Sequence, residues 1–141
     1  MPRPAGPRRS LADYRFWSVA WAALVFYRIA LWLAPYRRVA RLLPPARGEP
    51  APSWASRRVR WAVAGAARRV PDATCLPQAL AAHALLSLQG HASFIRIGVR
   101  RGEGGDVQAH AWVVSGDTLV IGDDGERLEG FAPLIDLGIG R

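Results

Sequence analysis

The chain has 141 residues, 50% of them hydrophobic, and a mean hydropathy of +0.04, which supplies a real core for one globular domain and excludes wholesale disorder. Its formal net charge is +8, and all nineteen basic residues are arginine. Cys75 is the single cysteine, so an intramolecular disulfide and any zinc site built on two or four cysteines are excluded, and a reducing cytoplasm is the expected setting.

Charge divides the chain. Residues 1–70 carry fourteen arginines against Asp13 and Glu49, a net of +12, whereas residues 71–141 carry five arginines against nine acids, a net of −4. The arm of residues 1–10, with Pro2, Pro4, Pro7, Arg3, Arg8 and Arg9, cannot bury apolar surface, and order should begin near Ser10. From Leu11 to Leu43 the spacing of Trp17, Trp21, Leu24, Arg28, Leu31 and Trp32 predicts helix, broken into two at Pro35 and stopped at Pro44–Pro45. Residues 16–27 carry no charge and superficially match a signal peptide or membrane anchor. Arg28 interrupts that run after about a dozen residues where a span needs about 20, so a docked helix is the expectation, with contact between residues 16–34 and a membrane as the alternative.

A linker from Pro44 to Ser53 leads to an expected amphipathic surface helix from Trp54 to Val70, in which Arg57, Arg58, Arg60, Arg68 and Arg69 alternate with apolar positions. Residues 11–70 thus form an Arg/Trp-rich helical region, expected to pack as one unit with residues 71–141. Asp72 or Thr74 can cap the next helix, Cys75 to Gln89, which tolerates Pro77 in its first turn and stops at Gly90. It is apolar almost all round and should be buried. Sheet follows: strands at Ser93–Val99, Gln108–Val114 and Thr118–Gly122, with a glycine-rich loop at Arg100–Asp106 and a turn at Ser115-Gly116-Asp117. The fold class is therefore α+β, with N-terminal helices, a buried central helix and an antiparallel sheet.

Cys75 stands at the start of that helix, where unpaired N–H groups and the macrodipole favour an anion, so it is either a small core residue or an activated nucleophile. A thiolate needs a base within reach. His83 lies about 12 Å further along the same helix, and His91 adjoins the helix-ending Gly90, an expected surface loop. His110 remains, on a strand where it shares a face with Trp112. The following strand ends in Asp123 and Asp124, either of which reaches the level of His110 in a hairpin, and Asp123 is the preferred orienter. The same pair also suits an ordinary polar turn.

The run Cys75-Leu76-Pro77-Gln78-Ala79-Leu80-Ala81-Ala82, then Gly90 with Ile97-Gly98-Val99, Ala109-His110-Ala111-Trp112-Val113 and Leu119-Val120-Ile121-Gly122, resembles the lasso peptide biosynthesis B2 proteins. These are standalone transglutaminase-like cysteine proteases that remove the leader from a lasso precursor peptide. The resemblance implies a papain/transglutaminase-like fold whose catalytic core is residues 71–141, with Cys75 as nucleophile, His110 as general base and an acid on the next strand. That acid stands one residue later here than in the family, which leaves a turn insertion or a Cys–His dyad open. It further implies no cofactor and no metal, and as partners the precursor peptide, a B1-type leader-binding protein and the lasso cyclase that takes the product; no nucleic acid is expected. Cys75 N–H is a natural oxyanion donor, and Gln78 or Trp112 could shape the site. Exposed Arg57, Arg58 and Arg60 are a candidate docking surface. Two other readings stand beside this one: an Arg-rich binding module for nucleic acid or an anionic membrane, and a transglutaminase-like acyltransferase.

Overall fold

The computed structural model describes residues 9–44, 48–71, 73–102, 104–122 and, for the backbone, 132–137. Helix α1 (Leu11–Leu33) starts on a capping box: Ser10 Oγ accepts from Asp13 N–H at 3.3 Å and the Asp13 carboxylate accepts from Ser10 N–H at 2.9 Å. It ends before Pro35, which opens the short α2 (Tyr36–Ala40), the division that proline predicts. Helix α3 (Ser53–Ala67) begins one residue earlier and ends three earlier than the periodicity suggests, because Pro52 supplies an extended residue ahead of the first turn. Its Ala55, Val59, Ala62, Val63 and Ala66 are buried while Arg57 and Arg60 face solvent, as do Arg68 and Arg69 just after its end, so it is amphipathic as expected.

Helix α4 (Cys75–Leu88) lies at the centre. Ala79, Leu80, Ala81, Ala82, His83, Ala84, Leu85 and Leu86 are all buried, among α1, α3 and the sheet, and each leucine contributes about 1.5–3 kcal/mol of apolar burial. Leu88, at the exit, is exposed. Gly90 follows at φ +80, the left-handed stop that the sequence predicts.

The main sheet is antiparallel in the order β5-β4-β3-β6, formed by β3 (Phe94–Arg101), β4 (Val107–Ser115), β5 (Thr118–Ile121) and β6 (Ala132–Leu137). The expected strand at Ser93–Val99 is thus shifted outward to Arg101, and β6 is a strand the alternation did not disclose. A second unexpected element is a parallel pair of two-residue strands, β1 (Glu49–Pro50) and β2 (His91–Ala92), which ties the linker to the exit of α4. His91 therefore is not a loop residue: it sits in β2 with its ring edge-on to Trp54 at 6.3 Å. Two buried polar side chains hold this corner. Ser115 Oγ accepts from Ala51 N–H at 2.7 Å and donates to the Ala92 carbonyl at 2.6 Å. His83 Nε2–H donates to the Pro44 carbonyl at 3.2 Å, which leaves Nδ1 to accept from the Ser93 hydroxyl at 2.8 Å.

Candidate active site

Cys75 is the first residue of α4 and is half-buried against the core. Thr74 takes the N-cap position with extended backbone, yet its side chain makes no capping bond, so the expected hydroxyl cap is absent; Asp72 lies outside the described residues. Pro77 has no N–H, and the N–H groups of Cys75 and Leu76 head the helix without a side-chain oxygen from Thr74. Anion-favouring dipoles are thereby left at the thiol, the requirement for an oxyanion site. The loop before the thiol is braced by Gln78, whose Nε2 donates to the Ala73 carbonyl at 2.8 Å.

His110 sits on β4, which packs along α4, and is buried. As the alternation predicts, it shares a face with Trp112: the rings stack with centroids 6.1 Å apart and planes at 26°. Ala111 and Val113 take the other face, joining Ile95 and Ile97 of β3 in the hydrophobic cluster. Opposite His110 on β3 is Gly98, so no side chain of that cross-strand partner crowds the ring.

His110 Nε2 hydrogen-bonds the carbonyl of Gly122, the residue just after β5. A carbonyl can only accept, so Nε2 carries the proton and Nδ1 is the basic nitrogen. Gly122 reaches this position at φ +118, where a Cβ would stand 2.4 Å from Trp112 Cβ and 2.9 Å from the Ala111 carbonyl oxygen. Only glycine permits that approach. A carboxylate is the partner the residue types suggest here, and the Gly122 carbonyl is one they do not; a glycine closing an apolar strand is the signal that points to it. Asp123 and Asp124 lie outside the described residues. Cys75 and His110 thus stand on two packed elements, and among the described residues no hydrogen bond joins the thiol to the ring.

A groove of about 460 Å³ opens against the first turn of α4, lined by Arg28, Leu31, Trp32 and Tyr36 on one side and by Thr74, Leu76 and Pro77 on the other. It places apolar and aromatic surface beside the residues that flank Cys75. Among the described residues, no group of three His, Cys, Asp or Glu side chains could hold a metal ion. Of the candidate docking arginines, Arg58 is engaged internally: it lies 3.5 Å from the Asp13 carboxylate and over the Phe16 ring at 4.3 Å, tying α3 to the start of α1. Arg57 and Arg60 are solvent-facing.

A cysteine heading a buried helix, packed on an antiparallel sheet that carries a tautomer-fixed histidine, defines a papain-like α+β arrangement of the kind cysteine-dependent enzymes use. The family model of the transglutaminase-like superfamily matches residues 20–136, and the chain belongs to that superfamily. No curated protein and no solved structure matches the chain. Members of this superfamily are typically cysteine-dependent enzymes, a description with which both a protease and an acyltransferase agree.

Proposed function

We propose that this chain is a cysteine peptidase that removes the leader from a ribosomally made lasso precursor peptide, in a reducing cytoplasm, with the leader presented by a separate B1-type protein and the product passed to a lasso cyclase. The Cys75 thiolate attacks the scissile carbonyl carbon, the carbon–nitrogen bond breaks, and the His110 imidazolium gives its proton to the leaving amine. Water, deprotonated by His110 Nδ1, then hydrolyses the thioester and restores the thiol. Productive attack requires Sγ and Nδ1 to come within hydrogen-bond reach once peptide is bound, a tightening that catalytic pairs commonly undergo on substrate binding. Asp123 is the proposed third member, following directly on the residue that already receives Nε2–H.

The observation that carries the reading is the His110–Gly122 hydrogen bond, which leaves Nδ1 without a proton on a strand packed against the helix that Cys75 heads and so supports its role as base. The narrower assignment to leader removal rests on the motif run from Cys75 to Gly122 described above. The test is mass spectrometry of a lasso precursor incubated with this protein and a B1-type partner, comparing wild type, Cys75→Ala and His110→Ala. Cleavage at one site, lost in both variants, supports the proposal; cleavage that survives Cys75→Ala overturns it. Product masses also separate the peptidase from an acyltransferase, since an amine acceptor would be retained in the product where water is not.

A further inference from the structure

Helix α1 has two sides of different fate. Ala20, Leu24 and Tyr27 are buried against α3 and α4, and they are its only fully buried residues. The outer side exposes Val19, Phe26 and Leu33 at seven-residue intervals, 52%, 53% and 71% exposed, with Ile29 at 50% beside them. At 100° per residue, Tyr14, Trp21 and Trp32 form the other flank of this face, all exposed. Between Phe16 and Leu33 the sole charged residue is the half-buried Arg28. Exposed arginines bracket the stretch, Arg9 and Arg15 before it and Arg37, Arg38 and Arg41 after it. The one acid in the helix, Asp13, is taken up by Ser10 and Arg58.

We infer that this outer side of α1 docks on an anionic lipid bilayer, with the helix lying in the plane of the interface and its inner side remaining in the protein core. The 23-residue helix is long and apolar enough to cross a membrane. Crossing, however, would strip Leu24 and Tyr27 from α3 and α4, whereas lying flat keeps them and buries only what is already exposed. Tryptophan and tyrosine on one flank suit the headgroup level, and the bracketing arginines meet anionic headgroups. Charge decides among occupants. A second copy would set arginine clusters against one another, and a nucleic acid would leave the apolar stripe uncovered. Trp32 belongs both to this face and to the groove beside Cys75, so docking sets that groove at the membrane surface.

The test uses the full chain with vesicles of phosphatidylcholine alone and of phosphatidylcholine mixed with phosphatidylglycerol. Wild type should sediment with the mixed vesicles, with quenching of its tryptophans by brominated acyl chains, and Cys75→Ala should do the same, which separates this surface from the catalytic reading. Phe26→Glu combined with Leu33→Glu should weaken binding at least tenfold, by the order expected for carboxylates forced toward acyl chains. Arg37→Gln and Arg38→Gln should each weaken it roughly fivefold. Wild type that stays in the supernatant overturns the inference, as does unchanged binding by the double variant. So does a concentration-dependent dimer that the double variant dissolves while wild-type tryptophans stay unquenched by lipid. Quenching in wild type decides the matter even if the double variant does not fold.

Discussion

The imidazole of His110 is held by a backbone group: its Nε2–H goes to the carbonyl of Gly122 at the end of the neighbouring strand. A main-chain carbonyl fixes ring orientation and tautomer as a carboxylate would. The negative charge that steadies an imidazolium is the part proposed for Asp123.

Gly122→Ala tests that arrangement. The added Cβ meets Trp112 backbone and side chain at under 3.0 Å, and the φ of +118 is strained for alanine besides. The variant should lose about 1–3 kcal/mol of stability by thermal melting and most of the proposed peptidase activity. Activity equal to wild type in a protein that melts normally would show that the Gly122 carbonyl does not position the ring.

A pH dependence should come from His83. Burial pushes its pKa below the ordinary 6.5, against the weaker opposing effect of its bonds to Pro44 and Ser93. The unfolded chain takes up a proton near that ordinary value and the folded chain resists it, so the unfolded state binds more protons as pH falls. The contribution is fully present above about pH 6.5 and is lost as pH drops toward the folded value, by at most about 1.4 kcal/mol per pH unit. Urea melts at about pH 7.5 and about pH 5.5 should diverge for wild type, and His83→Gln should narrow the gap.

Ser115→Ala should cost about 1–3 kcal/mol, since it orphans the Ala51 N–H and the Ala92 carbonyl in a buried corner. Chemical denaturation measures this directly. A loss below about 0.5 kcal/mol would mean that water replaces the hydroxyl there.

The two sides of α1 should respond oppositely to truncation. Leu24→Ala, at a fully buried site, should cost about 2–5 kcal/mol, whereas Val19→Ala, half-exposed on the outer side, should stay within about 0.5 kcal/mol. Equal losses in thermal melts would contradict the sidedness of the helix.

Long-period features were legible in the sequence. The Ser10 start, the Pro35 break, the stop at Gly90 and the uniform apolarity of α4 each follow from local chemistry, and so does the shared face of His110 and Trp112. Features that depend on distant partners were not. Glu49–Pro50 shows no alternation that marks it as a strand, because only His91–Ala92 makes it one. β6 pairs with β3 rather than with its sequence neighbour, so a hairpin search does not find it. Gly122 was overlooked because a backbone acceptor leaves no side-chain signature, while a pair of aspartates next to it does. Thr74 has the right residue type for a cap, but capping needs a rotamer that composition does not specify.

The position of α4 after α1 and α3 in the chain has a consequence for synthesis. Helix α1 is covered by α4, and α3 by α4 and β5, elements that lie up to about sixty residues downstream of Leu24, Val59 and Val63. At about 5–20 residues per second, the inner sides of the first helices wait for seconds on the ribosome before their cover arrives. A chain halted before residue 75 would present an unprotected apolar surface rimmed with arginine, a ready substrate for chaperones and proteases and a reason to expect that expression of residues 11–70 alone yields no stable product.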